Sequence, residues 1–229
     1  MGFIIVFFVV IVVAVLVVPS YWVKYTLKKH HNEREDFPGD AGEFAVHLIK
    51  RLKIEGVSVE NTADGDHYDP TKYAVRLSDE NINSKSLTAI VVAAHEVGHA
   101  MQHHSGYKLL LVRTRLAMIF QHLEKLGSVF FVLIPILMFL TKIPALGAIM
   151  FLDSLVAMSS SIILSLITLP VEFDASFKRA LPVLKQGNYL SNRDLNTART
   201  ILFACAMTYI SASLFNLLNL WRWIQVLKR

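Results

Sequence analysis

The chain has one cysteine, Cys205, so it cannot close an internal disulfide, and its fold does not depend on an oxidising compartment. Cys205 falls inside an apolar stretch, 201–223, and reads as a small core hydrophobe. There is no internal repeat and no low-complexity segment. The basic residues are not interleaved with aromatics but flank apolar stretches, so nothing points to nucleic acid. No basic residue precedes the N-terminal apolar run, and no small-x-small cleavage site follows it before Pro19-Ser20-Tyr21. Those absences argue against a cleaved signal peptide and for a retained signal anchor.

What the chain has in excess is apolar surface. Its 229 residues suit one or two domains, and 54% are hydrophobic, above the soluble norm of about 45–50%. Phe3–Val18 is an unbroken apolar run, and 128–140, 143–169 and 201–223 are three more apolar stretches. A membrane span needs about 20 such residues. The expected fold is therefore a mainly α membrane protein: four transmembrane helices plus a small α+β domain, which the motif at 95–99 described below makes zincin-like. The expected boundaries are 1–23 for a signal anchor, 24–126 for the α+β domain that carries this motif, 127–169 for a transmembrane hairpin, 170–199 for a helix and loop, and 200–229 for a last span and basic tail. The net charge is +5, with Lys24, Lys28, Lys29 and Arg34 after the first stretch and Lys178, Arg179, Lys185, Arg193 and Arg199 between the third and fourth. The positive-inside rule then places 24–125 and 170–199 in the cytoplasm. The basic tail of Arg222, Lys228 and Arg229 works against this arrangement, and a last helix that lies in the interface or re-enters would relieve it.

Between the apolar stretches the pattern is that of a small mixed domain. Asp40 is placed to cap a helix, with Glu43 at capping-box spacing, and Phe44, His47, Leu48 and Arg51 follow at helical intervals. His47 reads as a half-buried surface residue. Residues 52–60 alternate as a strand, and Lys72–Ser78 reads as a second strand that pairs with the first. The second strand is placed either to receive an extended substrate along its edge or simply to complete a hairpin.

A helix is expected over Leu87–His104, and it carries Ala93-Ala94-His95-Glu96-Val97-Gly98-His99-Ala100. Histidines four apart lie one turn apart on one helix face, so both imidazoles reach one ion. Glu96 follows the first and can touch a water at that ion without ligating it. Zinc in such a site lowers the pKa of water to about 7, and a carboxylate takes the proton. With nine His and nine Glu in 229 residues, chance predicts about 0.01 occurrences of H-E-x-x-H. The run from Leu87 to Ala94 is almost wholly apolar, and two buried histidines and a glutamate without partners would be costly there.

Zinc usually takes three protein ligands. His103 is about 12 Å along a straight helix from His95, too far to share its ion readily. A third histidine ten residues after the first, as in metzincins, is absent: that position is Ser105. Glu172 is the better candidate. Pro170 can start a fresh helix in which Glu172, Ser176 and Arg179 share a face, with Arg179 bracing Glu172 or stabilising an oxyanion. Asp153 competes, because an ionisable residue inside an apolar stretch is a functional candidate, and an intramembrane protease would use it.

The chain resembles the YugP-like neutral zinc metallopeptidases of bacterial membranes. The resemblance rests on His67-Tyr68-Asp69-Pro70 leading to Leu77-Ser78, on Val92 to Gln102, on Leu169-Pro170-Val171-Glu172-Phe173-Asp174-Ala175-Ser176, and on Met207-Thr208-Tyr209, in family order. It implies a membrane-bound gluzincin-type endopeptidase, distantly similar to the HtpX-type proteases. It further implies Zn2+ held by His95, His99 and Glu172, with Glu96 as base and a polypeptide substrate beside a lipid bilayer. In the HtpX-type segment E-x-x-A-D the aspartate falls where this chain has Ser176, which leaves that aspartate's supporting role to Asp174 or Arg179. Arg179, Tyr209 and His103 are the candidate electrophiles.

Overall fold

The computed structural model describes residues 2–143 and 145–208. The order is α1 (Gly2–Lys29), α2 (Ala41–Arg51), β1 (Ser58–Thr62), β2 (His67–Asp69), β3 (Ala74–Ser78), α3 (Asp79–Ile82), α4 (Leu87–His104), α5 (Lys108–Thr141) and α6 (Ala145–Phe173). A π-helical segment (Asp174–Ala180) continues α6, α7 (Leu181–Gln186) follows, and residues 192–208 form a further helix, α8.

The expected fold class is corrected here. The chain is mainly helical with a small three-stranded sheet, and among the described residues no helix is long and apolar enough to cross a membrane. The apolar run in α1 is sixteen residues before Pro19-Ser20, short of the about 20 a span needs. In α5 the thirteen residues 128–140 follow a half that carries Arg113, Arg115 and Lys125, and α6 is interrupted by Asp153. The fourth expected stretch is described only as far as Thr208, so most of it lies outside the described residues.

Local signals set α2 and α4. Asp40 accepts from the Glu43 backbone N–H at 2.8 Å while the Glu43 side chain accepts from the Asp40 N–H, a reciprocal cap. Ser86 caps α4 through Ala89 N–H, and the helix runs Leu87–His104 as its pattern predicts. α4 is buried along nearly its whole length, enclosed by α2, the sheet and the π-helical segment. The end of α1 meets its start, where the Thr88 hydroxyl donates to Leu27 O and the Thr88 N–H donates to His30 O. Farther on, Phe203 of α8 packs edge-on against Trp22 of α1 and Phe173 of α6.

The sheet departs from the expected pair of strands. Residues 52–57 turn out of α2 through Lys53 and Gly56, both at positive φ, so β1 begins only at Ser58. The strand order is β1-β3-β2, with β1 parallel to β3 and β2 antiparallel to it. β3 is therefore central and cannot offer a free edge; the edges are β1 and β2. Arg76 of β3 bridges both neighbours, to Glu60 at 3.2 Å and Asp69 at 3.0 Å.

Proline does not restart the helix at the end of α6. Pro170 lies within α6, which is continuous to Phe173 and then widens into the π-helical segment.

Candidate metal centre

α4 presents His95 and His99 one turn apart, with their rings edge to face at 4.7 Å between centroids. The end of α6 brings Glu172 against them: Glu172 Oε2 lies 3.1 Å from His95 Nε2 and 3.2 Å from His99 Nε2. All three residues are buried, Glu172 with 1% of its surface exposed. This approach depends on Gly98, where a Cβ would meet Ala175 O at 2.7 Å. A glycine inside a helix costs about 1 kcal/mol against alanine, and here its missing side chain is what lets the π-helical segment lie against α4.

The far nitrogens of both rings are held. His95 Nδ1 lies 3.0 Å from Ser176 Oγ, whose hydrogen goes to Leu202 O, so the ring donates to the hydroxyl. His99 Nδ1 lies 2.9 Å from Gln102 Oε1. The Gln102 amide nitrogen donates to Val171 O at 2.8 Å and to Asp174 Oδ2 at 2.9 Å, so the amide cannot be flipped and its oxygen must accept from His99. With hydrogens on both Nδ1 atoms, the two rings turn their Nε2 atoms toward Glu172.

Those donors fit zinc. Three such donor atoms packed this closely need positive charge among them. Two donors about 2.0–2.1 Å from a tetrahedral zinc stand about 3.3 Å apart, close to the observed 3.1 and 3.2 Å. Glu172 Oε1 is buried without a hydrogen-bond partner. Burial would raise the Glu172 carboxyl, but His99 and His95 beside it hold it well below the usual carboxylate range. Among the described residues, His95, His99 and Glu172 are the group of His, Cys, Asp or Glu side chains whose donor atoms all lie within 4.8 Å of one another.

Glu96 lies beside the cluster and lines the same cleft. Burial pushes its carboxyl up to about 7, opposed by His95 and reinforced by Glu172 and Asp66. The cleft encloses about 660 Å³ between the 64–71 wall, which includes edge strand β2, and the first half of α5, where Arg113, Thr114, Met118 and Gln121 face it. Cys205 lines its base, buried, with its thiol raised by that burial.

The other expected residues fall elsewhere. Arg179 does not reach Glu172; its Nε donates to Asp174 Oδ2 at 2.8 Å, and its guanidinium lies over Tyr107. On a regular helix, positions seven apart share a face, but i→i+5 bonding puts more residues in each turn and carries Arg179 round to Asp174. His103 accepts from or donates to Tyr68 OH at 2.8 Å and stacks on Tyr73, on the sheet side of α4. Asp153 sits against Gly127 of α5, and its nineteen-residue offset from Glu172 is about 28 Å along a straight helix, so it cannot join the cluster. Tyr209 lies outside the described residues. His47 is at the surface with Tyr189. The sequence reading passed over Gln102 and Gly98. Gln102, three residues past His99, was signalled by helical spacing, and Gly98 by being a glycine inside a helix.

Two histidines and a glutamate converging from separate helices, with a glutamate of raised pKa beside them, define a site of the zinc metallopeptidase class. The chain belongs to the family described as "Putative neutral zinc metallopeptidase", whose model matches residues 4–228. It is also 32% identical over 213 residues, 90% of this chain and 91% of the relative, to a Bacillus subtilis (strain 168) protein named "Putative membrane protease YugP". No solved structure matches the chain.

Proposed function

We propose that the chain is a zinc-dependent endopeptidase in which His95, His99 and Glu172 hold the metal and Glu96 is the general base. The convergence of the three donors on one point, with both imidazoles oriented from behind, is the observation that carries this reading. Zinc bound there would acidify water and polarise a carbonyl. The protein's own work is proton handling and positioning. Glu96, buried and with its carboxyl near neutrality, accepts the proton of the attacking water and delivers it to the departing amine. Ser176 and Gln102 keep the imidazoles turned toward Glu172.

A polypeptide in extended form would enter the cleft between β2 and α5, with main-chain pairing to the β2 edge. Arg179 has its charge committed to Asp174, which disfavours it as the oxyanion electrophile. The relative's name places that protein at a membrane, and large exposed apolar side chains on α5 and α6, among them Phe139, Leu140 and Leu166, support a bacterial membrane as this chain's location.

The test is metal content of the purified protein. One zinc per chain in the wild type and none in Glu172→Ala is expected; equal zinc in both would remove Glu172 from the site.

A further inference from the structure

Gln102 is fully buried and spends every hydrogen-bonding group it has. Its oxygen accepts from His99, and its two hydrogens go to Val171 O and to Asp174 Oδ2. Val171 immediately precedes Glu172, and Asp174 comes two residues after it. One side chain of α4 thus grips the backbone and side chain on both sides of Glu172 while holding His99. Arg179 Nε donates to the same Asp174 oxygen, so the chain of contacts runs His99–Gln102–Asp174–Arg179.

We infer that Gln102 is the positioning residue that sets His99 and the Glu172-bearing turn in register, so that the three donors are assembled before metal binds. This rests on the metal-site reading above. The amide is needed because the position requires one acceptor and two donors at once. Methionine has similar length but neither function. Glutamate keeps the acceptor for His99 but turns an oxygen toward two acceptors. Because Asp174 Oδ2 accepts from both Gln102 and Arg179, a glutamate at 102 also sets a second carboxylate against that oxygen.

The experiment uses the full-length protein, with zinc affinity measured by chelator competition and the visible bands of the cobalt-substituted form recorded. Gln102→Met and Gln102→Glu are expected to weaken zinc binding about 10- to 100-fold and to shift the cobalt bands. Affinity within about twofold of wild type in both single variants would overturn the inference. So would lowered melting temperatures with unchanged cobalt bands, which is what a purely structural role gives. If Gln102→Met fails to fold, Gln102→Glu decides, and affinity within about twofold of wild type there would overturn the inference. A wild type that binds no zinc would instead sink the metal-site reading itself.

Discussion

Gly98→Ala tests how closely α4 and the π-helical segment must approach. An added Cβ would stand 2.7 Å from Ala175 O, 3.3 Å from its carbonyl carbon and 3.5 Å from its Cα. All three atoms are backbone, so no side chain can swing aside. Ordinary carbon–oxygen contact requires a retreat of about 0.5 Å, and overpacking of this kind costs about 1–3 kcal/mol. The helix gains about 1 kcal/mol from replacing glycine by alanine. The net loss of stability is then about 0–2 kcal/mol, and the fold survives. The metal centre is affected more, because Ala175 lies between Glu172 and Ser176. The same retreat stretches the 3.0 Å Ser176–His95 contact and the 3.1 and 3.2 Å Glu172 contacts together. Zinc affinity is expected to fall at least about 10-fold, measured by chelator competition beside a thermal melt of the metal-free protein. Gly106→Ala is the control: Gly106 is at φ +65 but a Cβ there meets nothing, so it costs about 1–2 kcal/mol and leaves zinc affinity alone. Wild-type zinc affinity in Gly98→Ala would refute the argument that this close approach assembles the site.

Three further outcomes are expected. Glu96→Gln should keep one zinc per chain and lose about 10²- to 10⁴-fold in turnover of an unstructured peptide; near-normal cleavage would remove Glu96 as base. Asp153→Ala should leave zinc stoichiometry and affinity unchanged, because Asp153 lies against Gly127 and far along α6 from Glu172; loss of zinc would contradict the geometry. Asp194 is held below the usual carboxylate range by Arg34, with burial opposing, so its contribution is present above its unfolded pKa and is lost as pH falls through the lower folded value. Asp194→Asn should therefore cost about 1 kcal/mol or less in unfolding free energy at pH 7, with the deficit shrinking as pH falls below the ordinary carboxylate range; a deficit that does not change with pH would show that the ion pair is not the cause.

The sequence by itself determined what depends on neighbours along the chain. The spacing of His95, Glu96 and His99, the extent of α4 and the Asp40–Glu43 cap follow from helical periodicity and local hydrogen bonding, and the structure has each of them. Glu172 could be singled out as a candidate, but sequence left it competing with Asp153, since chain order does not say which side chain folds back onto α4. Apolar runs were read as four spans, and no described helix is long and apolar enough to be one. Only the tertiary structure decided the parallel pairing of β1 with β3 and the placement of β2 at the edge, because strand alternation carries no partner or direction. It likewise decided that Arg179 serves Asp174 and that Gln102 links His99 to the turn around Glu172. The π-helical segment that redirects Arg179 meets α4 at Gly98, a contact between positions about 77 residues apart, and no window of local sequence contains it.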